Sequence, residues 1–256
     1  MATRNFTTLV NRVNAYTPGC PAPVLISHIR EAAIKVCERT LAWRLAQSQF
    51  NLTPGIHEYD FIKPAGSDVH AVLGVQMNGF PMDVLTLEQA LTQFPLWADM
   101  FGGLDPDTLW SITPSGTINT DEYNQQEFNE SYPLVTPPEF VEMASQPRAI
   151  TQVNPDKFIV LPMPDDVQTY TVRMFYALKP SRDAAGMDEA TFNDLEDAIF
   201  HLALQNLLVM PNVTWADRQA AAYHAKQALF SLIERRARAN LGNARGTLLV
   251  RAPKFA

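Results

Sequence analysis

The sequence predicts an α+β protein in which a helical bundle, built from both chain ends, carries an inserted antiparallel β-rich domain. Apolar residues recur at helical spacing near both ends, while the middle of the chain changes to the alternation of strands. Runs of strands flanked by runs of helices are typical of the α+β class. The predicted bundle takes residues 21–50 and 186–241, the insert takes 51–185, and residues 242–256 form a C-terminal tail.

Two helices are predicted in the N-terminal part of the chain. Phe6, Leu9 and Val13 have the spacing of a short first helix. A longer helix follows Pro21 and Pro23, because proline is tolerated in the first turn of a helix. Its predicted buried face consists of Ile26, Ile29, Ala33, Val36, Cys37 and Leu41. This helix is the expected packing partner of the C-terminal helices.

The middle of the chain begins with signals for strands and a hairpin. Tyr59 and Phe61 alternate with polar residues, as in a half-buried strand. Residues 69–77 form another strand candidate, and Asn78 and Gly79 after it are a strong signal for a type I′ hairpin turn. The return strand contains Pro81, which cannot donate a ladder hydrogen bond and so marks an edge or interrupted strand.

A short helix and three more strands complete the predicted insert. Thr86 and Gln89 have the spacing of a capping box, which predicts that a helix begins there and extends to about Phe94. Residues 149–153 and 157–161 are predicted to be two strands joined by a turn. Residues 169–178 alternate strictly between two faces and predict a further strand.

Residues 188–241 predict a helical hairpin. Asp188 is the expected N-cap of the first helix, and Pro211 follows its end. The predicted buried stripe of this helix is Phe192, Leu195, Ile199 and Leu202. Thr214 and Asp217 resemble a capping box that starts the second helix. The predicted buried stripe of the second helix is Ala222, Ala225, Leu229 and Leu232.

Charge is unevenly distributed along a chain whose net charge is −7. No lysine or arginine lies between Lys63 and Arg148, an interval rich in acids, whereas the chain after Glu234 contains only basic charges. Such segregation predicts charge matching between copies of the chain or with a partner. A solvated acidic loop and a frayed basic tail are the alternative explanation.

The sequence contains no motif for catalysis, a metal or a cofactor. None of the five histidines pairs with another at metal-binding spacing, and His201 is interpreted as a structural helix residue. There is no nucleophile elbow and no phosphate-binding glycine loop. Cys20 and Cys37 suggest a reducing compartment rather than a disulfide framework. No signal peptide or membrane span is visible, so no membrane partner is expected. No catalytic residue, cofactor or metal is expected either, because the sequence has no motif for one.

Two other functions remain open at this point. A hydrolase could use the carboxylates of residues 99–142, with Asp121 and Glu122 as candidates, although nothing fixes their geometry. A DNA-binding module could use the basic residues between Arg235 and Lys254 to contact phosphates. Apolar residues interleave with these basic residues, and a tail of this kind fits a protein groove at least as well.

The order of these elements resembles the head-to-tail adaptor proteins of tailed bacteriophages, of the tail tubular protein A type. A helix ends in Leu41–Arg44, and the chain then enters the β region through Phe50, Leu52, Gly55, Tyr59 and Phe61. The remaining segments that carry the resemblance are residues 72–79, 157–164 and 170–180, followed by an acidic helix start at 188–196, two helices and a basic tail.

The resemblance implies a non-enzymatic virion protein that is assembled in the host cytoplasm. Such adaptors form a ring, typically of twelve copies, between the portal protein and a tail or nozzle protein, and DNA passes through the ring without sequence-specific contact. The C-terminal segment would grip the portal. The residues expected to dock there are Arg235, Arg236, Arg238, Arg245, Leu248, Leu249, Arg251, Lys254 and Phe255.

Overall fold

A computed structural model describes residues 2–94 and 144–241 of the chain. The described residues form five α-helices and twelve strands, which confirms the mixed α+β class. The helices are α1 (Val10–Asn14), α2 (Ala22–Thr40), α3 (Leu87–Gln93), α4 (Glu189–Leu208) and α5 (Arg218–Leu241). The first strands are β1 (Thr3–Asn5), β2 (Arg44–Ala46), β3 (Phe50–Asn51), β4 (Glu58–Asp60), β5 (Ser67–Met77) and β6 (Phe80–Leu85). The later strands are β7 (Ala144–Ser145), β8 (Ala149–Gln152), β9 (Lys157–Leu161), β10 (Met163–Pro164), β11 (Thr171–Pro180) and β12 (Gly186–Asp188).

The described residues divide into two compact units, and both units are discontinuous in sequence. The first unit takes the described parts of Met1–Leu45, Lys63–Ala71 and Tyr176–Ala256. The second unit takes the described parts of Ala46–Ile62 and Val72–Phe175. All the helices except α3 belong to the first unit.

In the first unit, α2 packs against α4 and α5, and α4 packs against α5. The predicted short first helix is present as a 3₁₀ turn over Phe6–Leu9 that continues into α1, and its three predicted core residues are buried. Pro21 precedes α2, and Leu41 ends α2 in a left-handed conformation with φ of 52°. The buried face of α2 consists of Leu25, Ile29, Ala32, Ala33, Val36, Cys37 and Thr40.

The N-terminal strand β1 pairs antiparallel with β12, immediately before α4. Thr3 pairs with Asp188, and Asn5 pairs with Gly186. A Cβ atom at Gly186 would lie 2.1 Å from the backbone oxygen of Arg4, which is closer than any real carbon–oxygen contact. The pairing of the two strands therefore requires glycine at position 186.

Replacing Gly186 with alanine is expected to destabilise the protein by about 1–3 kcal/mol, because the new methyl group must push β1 away from β12. The midpoint of urea unfolding measures this loss. Gly74→Ala is the matched control, since a Cβ atom at Gly74 would meet no atom within 4 Å. Equal stability of the two variants would contradict the role assigned to Gly186.

The strands form a mixed sheet with the order β2-β11-β5-β6-β8-β9-β4, and β3 also pairs with β11. The predicted hairpin at Asn78 and Gly79 is confirmed, since both residues have positive φ, of 50° and 86°. Val75 pairs with Met82 and Met77 pairs with Phe80 in the antiparallel register of β5 and β6. Positive φ at both turn positions is the requirement of a type I′ turn.

The prediction that the insert is antiparallel is wrong at β6 and β8. These strands are parallel, with Asp83 paired with Ala149 and Leu85 with Thr151. Parallel neighbours cannot be joined by a tight turn, so the chain leaves β6 through α3 and returns at β8 only after a long connection. The capping box that starts α3 is confirmed, because the Thr86 hydroxyl accepts from the Gln89 amide at 3.2 Å. Ala90 of α3 packs against Ile159 and Leu161 of β9.

An aromatic cluster fills the core of the second unit. Phe158 of β9 is fully buried, and its ring lies 4.9 Å from Phe61, 5.6 Å from Tyr59 and 6.2 Å from Phe50, between ring centroids. The Tyr59 hydroxyl donates to the Ile56 carbonyl at 2.8 Å and accepts from the Thr53 amide at 3.0 Å. The aromatic residues that carry the family resemblance therefore come together around the buried ring of Phe158.

Candidate assembly surface on the C-terminal helices

The α4 helix begins as the sequence predicts, and its buried residues extend from Phe192 to Leu208. Asp188 caps the helix, since its carboxylate accepts from the Thr191 amide at 3.0 Å and the Thr191 hydroxyl at 2.9 Å. The predicted stripe of Phe192, Leu195, Ile199 and Leu202 is buried, and so are Ala198, Phe200, Ala203, Leu204, Leu207 and Leu208. Because buried residues occur on more than one face, α4 is the central helix of its unit.

The predicted start of α5 is wrong by three residues, which is nearly one helical turn. Asp217 caps the helix instead of Thr214, and its carboxylate accepts from the amides of Gln219 and Ala220 at 2.9 and 3.0 Å. Thr214 and Asp217 are both good capping residues, three positions apart. The helix begins at Arg218, so the acid next to the first helical residue satisfies the free amides.

The buried stripe predicted for α5 is also wrong, except at Leu232. The buried residues are Ala221, His224, Ala228 and Leu232, whereas Ala222 and Leu229 are exposed. Two alanines on the buried face let α5 approach α4 closely. Apolar residues occur on both faces of α5, and periodicity alone does not tell which face points inward.

The outer face of α5 presents large apolar side chains to solvent. Tyr223, Leu229, Phe230 and Ile233 are 58, 56, 57 and 59% exposed. Pairs of these residues are three, four and seven positions apart, which places all four on one side of the helix together with the exposed Lys226. We call these four residues the outer α5 face. Large apolar side chains grouped on one exposed helix face are typical of a site for binding another protein.

The predicted docking arginines that the structure describes lie on the last turns of α5, beyond the outer α5 face. Arg235 forms an ion pair with Asp194 of α4, and Arg238 forms one with Glu234 one turn earlier. Arg236 is exposed. The structure therefore brings the outer α5 face and these arginines together on one helix. The other predicted docking residues lie outside the described residues: Arg245, Leu248, Leu249, Arg251, Lys254 and Phe255.

Sequence reasoning missed one polar contact of this hairpin. The Nδ1 atoms of His201 in α4 and His224 in α5 lie 2.9 Å apart, at hydrogen-bond distance. The two residues come from different helices, so no short spacing in the sequence indicates the pair. One signal could have predicted the contact. In an antiparallel hairpin, residues at similar distances from the turn lie opposite each other, and His201 and His224 are at similar distances from the turn between α4 and α5.

The described residues contain no cluster of side chains suited to hold a metal ion. No group of three or more potential metal-ligating side chains occurs in residues 2–94 and 144–241. Burial, with a further contribution from Glu38, raises the pKa of the Cys37 thiol to about 12, so this cysteine stays protonated at neutral pH. Asp121, Glu122 and the rest of the interval 99–142 lie outside the described residues. None of the described helices combines the length and the apolar character that a membrane crossing needs.

A mixed α+β fold whose last helix exposes several large apolar side chains is typical of a protein that binds other proteins. The family model of the SU10 adaptor protein matches residues 4–251, and the chain belongs to this family. The chain is therefore a structural head-to-tail adaptor of a bacteriophage, located in the virion and associated with other head or tail proteins. No curated protein matches the chain.

Proposed function

We propose that this adaptor forms a ring that joins the portal to the tail and lines part of the DNA channel. The outer α5 face is the observation that carries the proposal, because four large apolar side chains on one helix face need a protein partner. In a ring this partner is a second copy of the chain. Each copy then buries the outer α5 face of its neighbour by a head-to-tail contact that closes on itself.

The small residues around the outer α5 face support a neighbour that packs closely. Ala222 and Ala237 are exposed at its two ends, and alanine allows the axes of two helices to approach. Lys226 lies with its ammonium 6.0 Å from the ring of Phe230, so a positive charge borders the stripe. We propose a ring of twelve copies of the tail tubular protein A type.

The proposed division of labour follows the sequence-based domains. Helices from both chain ends, in residues 21–50 and 186–241, form the bundle that packs around the ring, and residues 51–185 contact the tail or nozzle protein. The packing of α2 against α4 and α5 supports this bundle. Residues 242–256 follow the arginine-bearing end of α5 in the sequence, and we propose that they dock on the portal. The docking contacts come from Arg235, Arg236 and Arg238 together with the predicted residues of the tail.

The charge of the chain supports a passive role toward DNA. A net charge of −7 on each copy repels a polyanion, so DNA slides through the channel during ejection and is not held in it. The same net negative charge disfavours the alternative of DNA binding through the arginines of α5.

Removing residues 242–256 is expected to abolish binding to the portal, because the proposed docking tail is lost, while the fold of the rest of the chain stays intact. Cosedimentation of the purified portal with the full chain and with the shortened chain measures binding, and circular dichroism checks the fold. A shortened chain that binds the portal as well as the full chain does would overturn the docking proposal. Salt-dependent binding of the full chain to duplex DNA would instead favour the DNA-binding alternative.

A further inference from the structure

A pair of histidines connects the two helices that present the proposed assembly surface. His201 is on α4 and His224 is on α5, and their Nδ1 atoms are 2.9 Å apart. The ring centroids are 5.1 Å apart with an interplanar angle of 31°. His224 is buried, and its ring also contacts Tyr223 of the outer α5 face, with 5.3 Å between centroids. The pair is therefore in contact with the outer α5 face at Tyr223.

The two imidazoles lie beside a solvent-open pocket of about 470 Å³, so protons can reach them. The residues that line the pocket are Tyr16, Phe200, His201, Asp217, Gln219, Ala220, Tyr223 and His224. Among the described groups, the charged neighbours of the pair are few. Arg12 of α1 pairs with Asp197 of α4 at 3.2 Å and lies over the ring of Phe200, so its charge is partly balanced. Asp217 is engaged by the amides at the start of α5.

The short distance between the Nδ1 atoms limits how many protons the pair can hold. A hydrogen bond between them needs one ring that carries a proton on Nδ1 and one ring with a free lone pair on Nδ1. Adding one proton at an Nε2 atom preserves this bond and makes it charge-assisted. Adding a second proton places an N–H group on both Nδ1 atoms, so the bond is lost and two positive rings face each other.

We propose that His201 and His224 form a proton-sensitive lock that holds α5 against α4 at neutral pH and releases it when both rings become protonated. Because the ring of Tyr223 contacts the ring of His224, release of α5 from α4 also disorders the outer α5 face. Acidification therefore weakens the contact between copies. This last consequence rests on the proposed function. The lock itself concerns only the α4–α5 hairpin.

The titration of the two rings supports the direction of the effect. Burial lowers the pKa of both imidazoles below the ordinary value of 6.5. The neighbouring His224 and Arg12 lower the pKa of His201 further, and Asp197 opposes this shift. The unfolded chain therefore binds more protons than the folded chain as the pH falls below 6.5. The stability that the neutral pair contributes is present above this pH and is lost as the pH falls through the lowered values.

Nuclear magnetic resonance of protein labelled with ¹⁵N-histidine tests the lock directly. At pH 7.5 we expect one of the two rings to carry its proton on Nδ1 and the other on Nε2. If both rings carried their protons on Nε2, no bond could join the Nδ1 atoms, and the lock would be disproved. A melting temperature that falls when EDTA is added at pH 7.5 would reveal a resident metal ion on the pair and would also overturn the proposal.

Thermal melting at pH 7.5 and 5.5 tests the consequence for stability, with His224→Asn as the informative variant. Asparagine places a polar atom near the Nδ1 position but does not titrate. We expect the folded-to-unfolded ratio of the wild type to drop by about tenfold more between the two pH values than that of the variant, because one further histidine takes up a proton in the unfolded chain at pH 5.5. His70→Asn, on β5, controls for the loss of one histidine. The same pH dependence in His224→Asn and the wild type would overturn the lock.

Assembly on the portal at the same two pH values separates the lock from the proposed function. If the outer α5 face joins copies, wild-type assemblies are expected to dissociate at pH 5.5, and His224→Asn assemblies are expected to persist. Assemblies of both proteins that respond equally to pH would overturn the link between the lock and the surface. If neither protein assembles at either pH, the proposed function fails, while the histidine spectra and the melting curves still decide the lock.

Discussion

Replacing Ile233 with glutamate is expected to prevent ring formation while the chain still folds. Ile233 lies on the outer α5 face and is 59% exposed in the single chain, so a charge there is solvated before assembly. In the proposed ring the same charge is buried against an apolar neighbour without a partner, which is strongly unfavourable. We expect assembly to weaken by at least about 2 kcal/mol per contact, or roughly thirtyfold in affinity.

Analytical ultracentrifugation of the adaptor mixed with portal protein measures this effect, and thermal melting of the adaptor alone checks that it is folded. Val209→Glu is the matched control, because Val209 is an apolar residue of the same unit with 57% exposure that follows the end of α4 and is not part of the outer α5 face. Weakened assembly of both variants would point to a general effect of added negative charge. Normal assembly of Ile233→Glu would exclude the outer α5 face as the contact between copies.

The parts of the fold that local chemistry determines could be predicted from the sequence. Asp188 and Thr86 cap helices because a short polar side chain satisfies free amides within the next three residues. Asn78 and Gly79 form the hairpin turn because few other pairs adopt positive φ at both positions. Each of these signals needs only a few neighbouring residues, so each is visible in the sequence.

The errors concern choices that distant residues decide. The parallel pairing of β6 with β8 depends on the path of a long connection, and no local pattern specifies it. The sequence of α5 has apolar residues on two sides, and contact with α4 selects the side with Ala221 and Ala228. Large side chains would separate the two helices, so the bulkier residues remain outside.

The wrong choice of the buried side of α5 also explains why the sequence does not predict the outer α5 face. The charge pattern predicts the arginines at the end of α5, and the apolar spacing assigns Leu229 to the interior. Only the burial of each side chain distinguishes the inner face of α5 from the outer one. His201 is a helix residue, as the sequence predicts. Its partner His224 follows 23 positions later, and only the packing of the hairpin brings the rings together.

Replacing Phe158 with alanine is expected to destabilise the second unit by about 3–5 kcal/mol, because truncating a buried aromatic ring leaves a cavity among Phe50, Tyr59 and Phe61. Phe158→Leu keeps most of the volume and is expected to lose less than about 1.5 kcal/mol. Phe80→Ala is the exposed control, since Phe80 is 74% exposed, and its loss is expected to stay within about 0.5 kcal/mol.

Hydrogen exchange is the appropriate measurement, because a chain with two compact units need not unfold in a single step. Amides of β8 and β9, which pair with each other next to Phe158, are expected to lose the most protection. If the amides of α4 keep their protection in Phe158→Ala, the two units unfold independently, and the helices can be tested for assembly without an intact β region. If α4 loses protection equally, the units form one cooperative structure, and every substitution in the second unit must be checked for its effect on the outer α5 face.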